Sequence, residues 1–289
     1  MTKKLFIFMT MAFILPASAL AASIDPMEGP VTEADPSANS AVIPDEPLVP
    51  PRTPGKFTIG AEAHLLFDKK MDPPEDGAID TLTVRRSDQF YIVPAYNIHR
   101  SEKTQVDLFM NLGAGSMRIT KANKGSLVEE DTSYDKGFLW AIGIKGSQKL
   151  WDNFTAHASM KYKSFESDID EYTFNGIKAQ QLSGDTKGQL SEFETAFLIS
   201  AAMSPEDRDT TYHFYAGPSF TFTSYEQGAV NYMVGSTPRG AQNADSDQRS
   251  AFGLTLGFDI LKFSEALRIN AEGKLFSESS LTLSIHYNF

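Results

Sequence analysis

The chain holds 289 residues, with 26 Lys and Arg against 37 Asp and Glu, a formal charge of −11 and a 41% hydrophobic share. That balance argues against nucleic acid as a partner, because phosphate binding rests on clustered Lys and Arg, and against a disordered chain. With no Cys it can carry neither a disulfide nor a lipid-anchored cysteine.

Residues 1–22 read as a signal peptide. Lys3 and Lys4 form the positive region, Leu5 to Leu15 the apolar core, and Ala17-Ser18-Ala19 or Ala19-Leu20-Ala21 the small-residue cleavage site. Export through the Sec pathway, with cleavage near Ala19 to Ala22, is the expectation. It would move the formal charge to −13, with 24 basic residues left against 37 acidic ones. The apolar core is about a dozen residues long, short of the roughly 18 to 20 a spanning helix needs. Residues 23–54 contain Pro26, Pro30, Pro36, Pro44, Pro47, Pro50, Pro51 and Pro54 and no aromatic residue, the composition of a semi-extended periplasmic linker.

From Gly55 the pattern changes to a period of two, which predicts strands. Phe57, Ile59, Ala61, Ala63, Leu65 and Phe67 share one face, with Thr58, Gly60, Glu62 and His64 on the other. Further segments follow at Gln89–Ile98, Val106–Ala114, Phe138–Ile144, Phe154–Tyr162, Phe193–Ala201, Tyr212–Phe222, Phe252–Ile260, Leu267–Leu275 and Leu281–Phe289. Ten strands of roughly 9 to 13 residues suit a tilted membrane strand. The connections at 68–88, 116–137, 165–190 and 225–249 read as long polar outer loops, and those near 99–104, 146–153, 203–210 and 261–266 as short turns. The expected fold is all-β, a transmembrane antiparallel up-and-down β-barrel over residues 55–289. Ser277-Glu278-Ser279 is a short outer connection, which leaves eight or twelve strands open besides ten. A soluble β-sandwich fits less well, because the aromatics Phe57, Phe67, Tyr162, Tyr212, Phe252, Tyr287 and Phe289 gather at strand ends as interfacial girdles do.

Leu281-Thr282-Leu283-Ser284-Ile285-His286-Tyr287-Asn288-Phe289 resembles the C-terminal strand of Gram-negative outer-membrane proteins, which alternates and ends in aromatics two apart. The resemblance implies that the barrel-assembly machinery reads Tyr287 and Phe289, that the chain resides in the cell outer membrane, and that it meets outer-membrane lipid and lipopolysaccharide. Ala251 to Gly273 looks like the closing strands of opacity-type barrels, a family that usually has eight strands.

If the apolar face meets lipid, the other face fills the lumen with Glu62, His64, Asp107, Lys145, His157, Lys161, Lys163, Glu192, Glu194, Asp259, Arg268, Glu272, Lys274 and His286. In so narrow a barrel opposite charges should pair, Lys161 and Lys163 with Glu192 and Glu194, and Arg268 with Asp259. The five His residues lie on separate elements without metal-ligand spacing, so neither a metal nor any other cofactor is expected. His157-Ala158-Ser159 resembles the His-x-Ser pair of outer-membrane lipid A deacylases, where imidazole activates a hydroxyl, and Asp168 and Asp170 raise a ten-stranded protease. The preferred expectation has no catalytic residues: a non-enzymatic barrel displaying long acidic loops for a structural, adhesive or recognition role, with a host or surface ligand at those loops. A narrow channel or porin for small solutes is the alternative.

Overall fold

A computed structural model describes residues 56–73, 79–123, 128–203, 210–241, 244–248, 251–262 and 266–289. The signal peptide read at 1–22 and the linker read at 23–54 lie outside the described residues. In chain order the strands are β1 (Phe57–Met71), β2 (Ile79–Arg100), β3 (Thr104–Asn123), β4 (Glu129–Trp151), β5 (Phe154–Phe174), β6 (Ile177–Lys178), β7 (Gln180–Gly184), β8 (Lys187–Met203), β9 (Thr210–Gln227), β10 (Val230–Val234), β11 (Thr237–Ala241), β12 (Ala244–Asp247), β13 (Phe252–Lys262), β14 (Leu267–Leu275) and β15 (Ser279–Asn288).

Ten of these close a cylinder in the order β1-β2-β3-β4-β5-β8-β9-β13-β14-β15, and every neighbouring pair is antiparallel. Closure runs from Thr58 opposite Asn288 to Leu65 opposite Leu281. A closed cylinder leaves no free edge, so every wall strand is hydrogen-bonded on both sides. Ten strands is two more than the eight that the opacity likeness implies.

The period of two shows directly on the wall. Phe57, Ile59, Phe90, Ile92, Leu108, Met110, Phe138, Ile142, Phe197, Ile199, Phe214, Phe258, Leu283 and Ile285 point outward and stay exposed, while Tyr91, Val93, Leu139, Ala141 and Ala196 point inward and are buried. Exposed apolar side chains therefore form a belt around the barrel, which water would penalise and hydrocarbon would not. From Phe57 to Phe67 a strand climbs about 33 Å at about 3.3 Å per residue. With a tilt of about 40° the belt is about 25 Å tall, the thickness of the apolar band of outer-membrane barrels.

One expectation is corrected. The stretches 68–88, 116–137, 165–190 and 225–249 are not mainly loops: β1 to β5 run 15 to 23 residues and carry the wall well beyond the belt. Between β5 and β8, and between β9 and β13, the chain folds into a three-stranded sheet of β11, β10 and β7. Beyond lipid, neither wall face need be apolar, so the alternation that marks a membrane strand fades while backbone pairing continues. The end carrying Phe57 and Phe289 is called here the turn end, and the opposite end the extended end.

Inward glycines set the side-chain packing of the wall. Gly143 sits directly opposite Phe109, and Gly257 opposite Tyr215, with each ring lying over the neighbouring glycine. A Cβ on Gly143 would come within 2.3 Å of the Phe109 ring, and one on Gly257 within 2.4 Å of the Tyr215 ring. Only the missing side chain leaves room for these rings to lie flat along the wall.

Candidate functional site

The interior divides into layers. Uppermost, at the extended end, lies an apolar layer of Met71, Leu82, Val84, Met117, Ile119, Tyr134, Phe165, Ile169, Tyr172, Leu190 and Tyr225, all buried. This layer belongs to stretches read from the sequence as outer loops: the inward positions of the wall extensions carry aliphatic and tyrosine side chains. The small sheet packs against the layer through Val230 and Tyr232, with the Tyr172 and Tyr232 rings 4.5 Å apart and the Arg239 guanidinium 4.3 Å from the Phe174 ring. The Tyr134, Tyr172 and Tyr225 hydroxyls in this layer are all hydrogen-bonded. Tyr134 and Tyr225 share a 2.7 Å hydroxyl contact, and Tyr225 donates to Gln227 at 2.7 Å. Tyr172 donates to Glu130. Burial, with the Glu130 charge beside it, holds the Tyr172 phenol protonated well above its ordinary range.

Below this layer a buried ionic network crosses the lumen. Lys69 of β1 bonds Glu192 of β8 and lies 2.6 Å from Glu278, which stands in the short turn between β14 and β15. Glu192 also takes Lys163 of β5 at 2.8 Å, while Glu194 takes Lys274 at 2.5 Å and Lys161 at 3.5 Å. Thr223 receives a 3.0 Å bond from Lys69, and Ser280 donates to Glu278 at 2.8 Å. Lys69 and Glu278 are only 1% exposed at the side chain, so the pair is fully desolvated. His64 lies at the same level, 5% exposed, with Nδ1 2.9 Å from the Thr282 hydroxyl.

Beneath the network Tyr215 joins two acids: it donates to Glu272 at 3.0 Å and receives Asn270, which also bonds Asp259 at 2.7 Å. Glu62 accepts from Asn111 at 3.4 Å. Toward the turn end the lumen is looser. Arg268 grips Asp259 with a fork of 3.0 and 2.6 Å. Lys145 stands 3.9 Å from Asp107, which accepts from Asn97 and Gln105. His157 meets Ser200 of β8 at 2.8 Å, and His286 meets Ser284 at 3.0 Å. The Lys145 and Arg268 side chains keep 38% and 37% of their surface, so water reaches this half of the lumen.

All fourteen residues singled out from the sequence are placed on inward positions, but in two groups: Lys161, Lys163, Glu192, Glu194 and Lys274 in the network, and Asp107, Lys145, His157, Asp259, Arg268 and His286 toward the turn end. Glu62, His64 and Glu272 lie in the network or between the groups. Lys69 and Glu278 were missed. Both fall in stretches read as connections, and a bulge between Leu66 and Asp68 shifts the phase so that Lys69 turns inward where strict alternation would point it out. His157 is hydrogen-bonded with Ser200 rather than with Ser159, the hydroxyl of the His-x-Ser pair. Asp168 lies on the far part of β5, where it accepts from Thr186 at 3.1 Å. Among the described residues no three His, Asp or Glu side chains are grouped as metal ligands.

No family model and no curated protein matches the chain. Among solved structures it is similar to the translocator domain of the autotransporter NalP from Neisseria meningitidis, at 10% identity over 82% of this chain and 90% of that one, with a TM-score of 0.41. It is also similar to the beta domain of the Bordetella autotransporter BrkA, at 6% identity over 81% and 99%, TM-score 0.38. A third likeness is to the outer membrane protein OprG from Pseudomonas aeruginosa, at 10% identity over 82% and 97%, TM-score 0.32. At such identities and overlaps the functional reading rests on the chain's own residues.

Proposed function

We propose that this chain is a non-enzymatic protein of a bacterial outer membrane, a plugged barrel that serves as a rigid mount for its extended end. The turn end faces the periplasm, the extended end faces the exterior, and the apolar belt sits in lipid. The barrel-assembly machinery reads the last strand through Tyr287 and Phe289, and a host or surface ligand meets the extended end. The single observation that carries this reading is the double closure of the lumen, an apolar layer stacked on a buried Lys–Glu network. An ion entering from outside must part the first and then compete for charges already paired in the second.

A narrow channel is the second reading, favoured by the exposed Lys145 and Arg268 in the turn-end half. Planar-bilayer recording of the refolded full chain separates the two. The plugged barrel gives no steady conductance, and reproducible unitary steps would overturn it. The same preparation should shift in gel mobility on boiling, and deacylation of lipid A or proteolysis by it would end the non-enzymatic reading.

A further inference from the structure

The belt ends at Phe67 on β1 and Phe90 on β2, both outward and exposed. Just past them the pairing of these two strands is interrupted. The register runs to Leu66 opposite Ser87 and resumes at Lys69 opposite Val84, so Phe67 and Asp68 on one strand and Arg85 and Arg86 on the other have no partner across the gap. Released from the ladder, these residues open a cavity of about 310 Å³, lined by Asp68, Lys70, Thr81, Thr83 and Arg85. Lys70, Thr81 and Arg85 are exposed.

Three features of this cavity ask for a ligand. Neither Lys70 nor Arg85 pairs with an acid among the described residues, whereas neighbouring Arg86 is held by Asp88 at 2.7 Å and Arg118, opposite Arg86 on β3, by Asp131 at 2.7 Å. Two unpaired cations and a single carboxylate, Asp68, line this one cavity and leave it net positive, which favours an anionic ligand. The Oδ1 atom of Asp68 is buried and accepts no hydrogen bond. A carboxylate without a donor is costly, and Asp68 is only partly buried at the cavity wall, so a donor from outside the chain can reach the carboxylate at its accessible side. Finally, the cavity stands at the top of the belt, where lipid headgroups begin.

We infer that this cavity binds the headgroup of a phosphorylated glycolipid of the outer leaflet. Lys70 and Arg85 take the phosphate, and Arg85 can do so through two parallel N–H donors. A sugar hydroxyl or amide N–H donates to the accessible side of the Asp68 carboxylate, and the Thr81 and Thr83 hydroxyls complete the polar rim. A bare phosphate would satisfy the cations but would leave Asp68 facing a second anion, so the sugar is part of the fit. The acyl chains would then run down the wall past Phe67 and Phe90.

This inference rests on the outer-membrane reading, and the test keeps the two apart. The full chain is refolded in detergent, its heat-dependent gel shift and its insertion into phosphatidylcholine vesicles are checked, and retention of diphosphoryl lipid A is measured by native mass spectrometry. The expected result is one retained lipid A, with binding about tenfold weaker or worse for dephosphorylated lipid A and for the Lys70→Glu/Arg85→Glu variant, as loss of charge-assisted bonds implies. Lys178→Glu, on the distant hairpin, should leave retention unchanged. Should the reversal variant lose its heat shift, Lys70→Gln/Arg85→Gln is read instead. Equal retention by a folded variant, equal retention of the dephosphorylated lipid, or full displacement by inorganic phosphate alone would each overturn the inference. Failure of the wild-type chain to enter vesicles would overturn the outer-membrane reading itself.

Discussion

Replacing Lys69 by Met removes one ammonium from the centre of the buried network and leaves Glu192 and Glu278 facing each other across the space. At 2.6 Å the Lys69–Glu278 contact is worth about 6 kcal/mol of attraction at an effective dielectric constant near 20. Desolvation of the two charges offsets much of this in the native protein, but the mutant retains the desolvated acids without their cation. Breaking a buried pair in this way costs about 3–5 kcal/mol. Glu192 keeps Lys163 at 2.8 Å, whereas the nearest cation left to Glu278 among the described residues is Lys274 at 4.0 Å, so the penalty should fall chiefly on Glu278. Lys69→Met/Glu278→Gln should therefore recover a large part of the loss. Urea unfolding of refolded protein can be followed by unboiled gel mobility and by the fluorescence of Trp140 and Trp151. With a slope of about 3 kcal/mol per molar, the single variant should lower the midpoint by about 1–1.7 M. A single variant as stable as wild type, or a double variant less stable than the single, would refute the view that Lys69 neutralises desolvated carboxylates.

Two smaller perturbations probe other layers. Gly257→Ala should displace the Tyr215 ring and with it the bonds to Glu272 and Asn270, costing about 1–3 kcal/mol by overpacking; an unchanged urea midpoint would mean the ring has room to move. Arg239→Ala removes a cation over the Phe174 ring worth about 0.5–1 kcal/mol, so limited proteolysis should cut the refolded chain sooner within 228–243, with the barrel strands untouched. Cleavage at the wild-type rate would show that the small sheet is held by Tyr172 and Tyr232 alone.

The cylinder was legible because lipid demands an apolar side chain at every second position, and Phe57 to Phe67, Phe138 to Ile144 and Leu281 to Phe289 obey without interruption. The closing pair could be read the same way, since β1 and β15 share one lipid face. The wall extensions were not legible. Around Thr81 to Asp88 the outward residues are Thr, Arg and Asp while the inward ones are Leu, Val and Ser, and two consecutive arginines break the period. Without the period, a strand and a polar loop look alike. The apolar layer was hidden for a related reason: Met117, Tyr134 and Phe165 belong to a core gathered from separate strands, each too sparse locally to signal burial. For the charged residues, alternation gave the inward direction, but height along the barrel depends on strand stagger, which decides that Lys163 stands with Lys69 while Lys145 stands with Arg268.

The ionic network is assembled from elements far apart in the chain: Lys69 from β1, Lys161 and Lys163 from β5, Glu192 and Glu194 from β8, Lys274 from β14, and Glu278 from the last turn. The pairing of β5 with β8 matches two cations to two anions early along the wall. Lys69 and Glu278 meet only when the first strand reaches the last, with Asp68 opposite Ser279 at that very height. Until that seam zips, an inserting sheet would present Lys69 at one margin and, at the other, Glu278 with its nearest hairpin cation, Lys274, 4.0 Å away, an arrangement costly in hydrocarbon. The two margins thus attract each other across the unfinished gap, and the joining of the cylinder coincides with the pairing of Lys69 and Glu278 inside it.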